Sequence, residues 1–148
     1  NGNYKIDCRF NKEELIKKIK KIASYKDKII ISNMEALDFI DEVILNTRKS
    51  FTFFDPPYYA KGPGLYTNFY SHGDHKNLSN YILRKMKNRK WIVTYDNVNE
   101  VKDMYRKIDK IEFKLQYTLQ NKCSGSEVMF FSNKVLRPDE ESKMLNII

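Results

Sequence analysis

The chain has 148 residues, 41% of them hydrophobic and 31% charged, a balance that suits a packed globular fold and excludes a disordered one. No apolar run approaches the ~20 residues of a membrane span, and the front carries no secretory pattern. Two cysteines, Cys8 and Cys123, exclude a disulfide framework and point to a reducing cytoplasm.

This length serves one domain, which buries roughly 68–70% of its unfolded surface. The net charge of +8 favours a polyanionic partner such as nucleic acid. Lys greatly outnumbers Arg, however, and an AT-rich genome enriches Lys, Asn, Ile and Tyr without functional meaning. The chain opens Asn1-Gly2-Asn3 with no initiator Met, and is expected to be a piece of a longer polypeptide or a trimmed chain.

In chain order, the first helix starts at Asn11, an N-cap with Glu14 three residues on. Leu15, Ile16, Ile19, Ile22 and Ala23 form its apolar stripe. Lys17, Lys18, Lys20 and Lys21 fall mainly on the other face, readable as a solvated face or as phosphate contacts. A short buried strand is predicted over 29–31, ending at Ser32-Asn33, then a helix over 35–45. The next strand covers 50–54 and ends at Asp55. Residues 56–71 read as a loop containing Gly62-Pro63-Gly64, which does not sit between a strand and an immediate helix and so is not a phosphate cradle. A helix over 72–87 turns Leu78, Ile82 and Leu83 inward. A strand over 91–95 and a helix over 98–107, with Val101 and Tyr105 on one face, follow. Strands over 113–119 and 127–131 read as an antiparallel pair, and the tail from Ser132 is polar.

Strands alternating with helices predict a mostly parallel α/β sheet covered on both faces. Ligands on such sheets bind beyond the carboxyl ends of the strands. Three clusters lie at such ends: Asn33-Met34-Glu35, Asp55 to Tyr58, and Asp96-Asn97. The last could line a pocket or simply form a turn.

Asp55-Pro56-Pro57-Tyr58 carries the most chemistry. Each proline fixes its φ near −65° and lacks an N–H, and the residue before a proline is pushed towards the extended region. Asp55 and Pro56 are therefore held extended, with the Pro56 carbonyl free to face outward. An ionised carboxylate accepts only. Together they offer two acceptors to one NH2 group. A nucleobase amine is a poor nucleophile because its lone pair is conjugated with the ring. Accepting both hydrogens draws the nitrogen towards tetrahedral geometry and frees that pair. Tyr58 can stack on the base, worth roughly 1–3 kcal/mol, about what flipping a base out of a duplex costs. The competing reading is a plain turn with Tyr58 covering a core edge. Tyr59, Tyr66, Phe69 and Tyr70 make the following loop denser in aromatics than a connection needs, which suits a flipped base, and Lys61 could contact a phosphate. His72 and His75, three apart, lack the spacing of a zinc site, and no metal is expected.

With Tyr59, this tetrapeptide resembles the signature of bacterial DNA adenine methylases, which transfer methyl from S-adenosylmethionine (SAM) to the 6-amino group of adenine. Gly2-Asn3-Tyr4-Lys5 through Arg9-Phe10-Asn11-Lys12 is similar to the stretch after the family's target-recognition region. Ile31 to Ala36 resembles the strand end near the cofactor's adenine. Leu65-Tyr66 through Asp74-His75, with Leu78, fit the loop and helix after the catalytic motif. Trp91 to Asp96, Gly125-Ser126-Glu127 and Asn133 fit the strands that close the domain. The resemblance covers residues 1 to about 134, as the C-terminal part of a methyltransferase catalytic domain, with 135–148 as a polar tail.

It implies a partial Rossmann-like SAM-methyltransferase sheet and an enzyme of the restriction-modification kind, acting on double-stranded DNA with SAM. By this likeness Asp55, Pro56, Pro57 and Tyr58 are catalytic; Asp55, Asn33 and Glu35 hold cofactor; Tyr59, Lys61 and Tyr66 hold substrate. The family's Phe-x-Gly-x-Gly turn, its ribose-binding acid and most of its sequence-reading segment do not occur in the chain, and Glu35 stands where the family usually has Asp. The strand over 29–31 then loses its neighbours, so a companion polypeptide carrying the front part is expected, or a clipped fragment. Two alternatives stand: a non-catalytic DNA-binding subunit, and methylation of cytosine's 4-amino group, against which Asp rather than Ser at position 55 argues.

Overall fold

The computed structural model describes residues 10–60, 62–65, 67, 69–117 and 123–136. They fall into two compact units, Asn1–Met34 and Glu35–Ile148. No helix among the described residues is long and apolar enough to cross a membrane.

The first unit is built on α1 (Lys12–Ala23). Asn11 caps it, its side chain accepting the Glu14 N–H at 3.1 Å. Glu13 and Glu14 in the first turn and Lys20 and Lys21 in the last complement the helix dipole. Every residue of α1 is exposed, the apolar stripe included. After a short 3-10 turn, residues 29–34 form no strand. Ile30 and Ile31 are 97% and 89% exposed. This corrects the expectation of a buried strand there: an extended apolar run becomes a strand only when a neighbour takes its backbone groups, and among the described residues none does.

The second unit begins with α2 (Ala36–Phe39), which runs into a π-helical turn, Ile40–Ile44. The end of that turn is held from outside. Asn46 donates to the Asp41 and Glu42 carbonyls, and the Arg89 guanidinium donates to those of Leu45 and Thr47. Then come β1 (Phe51–Phe54), α3 (Gly62–Leu65), α4 (His72–Lys85), β2 (Lys90–Asp96), α5 (Asn99–Met104), β3 (Asp109–Tyr117) and β4 (Cys123–Phe131). The predicted loop over 56–71 thus contains one short helix. α4 starts in a reciprocal capping box: Ser71 accepts the Asp74 N–H, and the Asp74 carboxylate accepts the Ser71 N–H at 2.8 Å. The Ser71 hydroxyl also donates to the Asp74 carboxylate at 2.6 Å, and this bond, with that from the Ser71 N–H, holds the Asp74 carboxyl below its ordinary range.

The sheet order is β1-β2-β4-β3. β1 and β2 are parallel; β2 with β4, and β4 with β3, are antiparallel. The architecture is mixed α/β, and the expectation of mostly parallel strands is corrected. A parallel pair requires a crossover, and only α4, between β1 and β2, supplies one. β3 and β4 lie antiparallel, as predicted, and β4 rather than β3 sits beside β2.

One sheet face carries Trp91, Val93 and Tyr95 of β2 with Val128 and Phe130 of β4, all buried. Against it pack Ile40, Ile44, Leu78, Ile82, Met86, Val101 and Tyr105, making one core. Each fully buried side chain of this size contributes about 1.5–3 kcal/mol. Tyr105 stacks on Phe130 at 4.6 Å between centroids. On the opposite face Phe51 and Phe53 of the edge strand β1 stay 55% and 54% exposed.

Candidate functional site

The parallel register of β1 and β2 sets Phe54 beside Val93. The next step along both strands brings Asp55 to Thr94, whose hydroxyl donates to Asp55 Oδ1 at 3.0 Å. Asp55 is exposed and joins no ion pair among the described residues. The Pro56 carbonyl receives no hydrogen bond from any described residue. The strand end therefore presents one oriented carboxylate and one bare peptide oxygen.

β2 extends past the end of β1, and Asp96 lies two residues beyond Thr94 on the same face. Its carboxylate is buried and accepts two consecutive loop amides, Tyr59 N–H and Ala60 N–H, each at 2.8 Å. Across the antiparallel ladder Asp96 pairs with Glu127 of β4. Glu127 Oε1 accepts the Tyr58 hydroxyl at 2.7 Å, which orients that ring. The Gly62 N–H closes the loop on the Tyr58 carbonyl.

The start of α4 supports the loop from another side. Tyr59 shares a 2.8 Å hydrogen bond with His72 Nδ1, and its ring lies against both His72 and His75. His75 is 1% exposed, packs against Tyr70 and Tyr95, and shares a 3.0 Å hydrogen bond with the Tyr95 hydroxyl. Burial holds His75 below its ordinary pKa, although Asp96 and Asp74 pull it upward. It is a neutral imidazole in an aromatic cluster. Burial likewise pushes the Tyr95 and Tyr70 hydroxyls up, so both remain phenols.

A cleft of about 310 Å³ opens between α2 and α4, with Glu35, Leu37, Phe69, Tyr70, Asp74 and Asn77 in its wall. Its wall combines aromatic and aliphatic surfaces with two carboxylates. Of the three residues expected to hold cofactor, Glu35 reaches this cleft, and Asp55 stands at the strand end. Asn33 belongs to the first unit, where it is exposed. Pro57 and Tyr58 are half-buried beside Asp55. Of the three expected substrate contacts, Tyr59 is turned to the histidines, while Lys61 and Tyr66 lie outside the described residues. Among the described residues no group of three His, Cys, Asp or Glu side chains converges on a metal position.

The sequence reads Thr94 and Glu127 only as strand residues, and Asp96-Asn97 as pocket lining or a turn. The available signal was spacing: Thr94 and Asp96 alternate at the end of a strand that lies parallel to the Asp55 strand. Comparison with curated proteins gives no match. The family model of the D12 class N6 adenine-specific DNA methyltransferases matches residues 1–119, most of the chain, which therefore belongs to that family.

Proposed function

We propose that the segment from Asp55 to Tyr58 holds the 6-amino group of a flipped adenine for direct methylation with SAM as donor. Family membership carries the activity itself, site-specific N6-adenine methylation of DNA. The observation that supports the mechanism is the pairing of an exposed carboxylate, fixed by Thr94, with a peptide oxygen that no described residue occupies. Asp55 and the Pro56 carbonyl accept the two amine hydrogens, and the nitrogen lone pair is released from conjugation. Tyr58, oriented through Glu127, stacks on the base. SAM supplies the electrophilic methyl when bound, and Glu35, Phe69 and Tyr70 are the residues of the cleft that would hold its adenosyl part. The proton lost from nitrogen has the Asp55 carboxylate as its nearest acceptor. Holding the reacting groups in line accounts for most of the acceleration.

The test is Asp55→Ala in the assembled enzyme, this chain together with the segment that carries the glycine-rich turn. Methyl transfer to duplex DNA is lost while the circular dichroism spectrum is kept; a folded variant with wild-type transfer refutes the role.

We also read the open edge of β1, with Phe51 and Phe53 exposed beside it, as the seat of the strands that carry the glycine-rich turn. They would come from a companion polypeptide or another segment of the same protein. Tight SAM binding by this 148-residue chain alone would refute that reading.

A further inference from the structure

Asp96 is 6% exposed, and no described cation pairs with it. A buried carboxylate needs compensating donors. Both of its oxygens are compensated by backbone: Oδ1 by the Tyr59 N–H and Oδ2 by the Ala60 N–H, each at 2.8 Å. Two successive amides converging on one anion form a small nest. The acceptor segment is thereby fastened at both ends to one strand. Thr94 holds Asp55 at its start, and Asp96, two residues along β2 on the same face, holds Tyr59 and Ala60 at its finish. Between the two fastenings lie two prolines, whose backbone has little freedom of its own. The direction of the Pro56 carbonyl follows from where the two ends are pinned.

We propose that Asp96 is a positioning residue for the methyl-transfer site: it touches neither base nor cofactor, and it aims the Pro56 carbonyl and the Tyr58 ring by clamping the amides behind them. The proposal rests on the reading of Asp55 and Pro56 given above. Its size follows from the sensitivity of such sites to placement, since a displacement of about 1 Å at a reacting group costs about 100-fold in rate.

The decisive variant is Asp96→Asn. It keeps the volume, leaves one oxygen for one amide, and sets an NH2 group against the other. Amide hydrogen exchange is measured first on the unaltered chain, where the Tyr59 and Ala60 amides exchange about 100-fold slower than in unfolded peptides. In Asp96→Asn those two amides exchange at least about tenfold faster while Val93 and Phe130 keep their protection. In single-turnover and steady-state methylation of duplex DNA by the assembled enzyme, with the segment that carries the glycine-rich turn present, kcat falls about 30- to 100-fold and KM for DNA moves less than about threefold. Unprotected Tyr59 and Ala60 amides in the unaltered chain overturn the proposal. So does wild-type exchange at both amides in the variant, or a raised KM with kcat kept. Asp55→Ala, run in parallel, separates the two ideas: retained methylation in that variant removes the reading of the site, while the exchange rates still decide whether Asp96 clamps the loop.

Discussion

Replacing Asp55 by Asn and by Ala should produce a graded loss whose steps follow from its hydrogen bonds. The carboxylate accepts the Thr94 hydroxyl through Oδ1, and Thr94 also lies 3.5 Å from the Phe54 carbonyl. In Asp55→Asn the new NH2 can turn to Thr94, whose hydroxyl then donates to Phe54, and the amide oxygen still faces the substrate amine. Only the charge is lost. A hydrogen bond to a charged group is worth about 1.5–3 kcal/mol and a neutral one about 0.5–1.5. The difference, about 1–1.5 kcal/mol, is about 5- to 13-fold in rate at 1.36 kcal/mol per decade. In Asp55→Ala the whole bond disappears and one amine hydrogen is left unpaired, adding about 1–3 kcal/mol. The sum of about 2.5–6 kcal/mol corresponds to about 10²- to 10⁴-fold. The assay is single-turnover transfer of labelled methyl to an adenine-containing duplex by the assembled enzyme, with SAM saturating. Equal losses in the two variants would refute the reasoning, because they would mean that the acceptor geometry Asn preserves is irrelevant.

Three further outcomes follow from contacts around the site. Glu127→Gln keeps an acceptor for the Tyr58 hydroxyl and should retain near-normal methyl transfer, whereas Glu127→Leu should lose about fivefold, matching Tyr58→Phe; a dead Glu127→Leu beside an active Tyr58→Phe would show that Glu127 acts otherwise. The stability of the protein should fall as pH drops below about 6.5, the ordinary histidine value, because the unfolded chain then protonates His75 while the buried imidazole resists; above that pH both states are neutral and the effect vanishes. Burial lowers this pKa, His72 lowers it further, and Asp96 and Asp74 oppose them, so urea midpoints between pH 7.5 and 5 should decline less in His75→Gln than in the unaltered chain, and equal declines would refute the assignment. Tyr105→Phe should raise stability by about 1 kcal/mol, since the buried hydroxyl has no partner among the described residues and the stack on Phe130 is kept; a loss of that size in urea unfolding would reveal a partner.

What could be read from residues alone divides along a physical line. Asp55, Pro56 and Tyr58 announce themselves because proline acts through covalent geometry, which is local. The cap at Asn11 involves a partner three residues away, and the inward faces of α4 and α5 follow from helical spacing; these too were legible. Thr94, Asp96 and Glu127 act on the loop across 39, 37 and 69 residues of sequence. Their roles exist only once β1 lies parallel to β2 and β4 is inserted between β2 and β3. Nothing in a single strand's sequence states its neighbours, and the run at 29–31 makes the same point in reverse. Three consecutive isoleucines have strong strand preference, yet Ile30 and Ile31 stay exposed, because preference without an adjacent strand leaves backbone groups to water. The acceptor loop has the opposite fortune. Its rigidity is half written in two prolines and half supplied by a carboxylate from the neighbouring strand, so the chemistry of Asp55 depends on a pairing that its own segment does not encode.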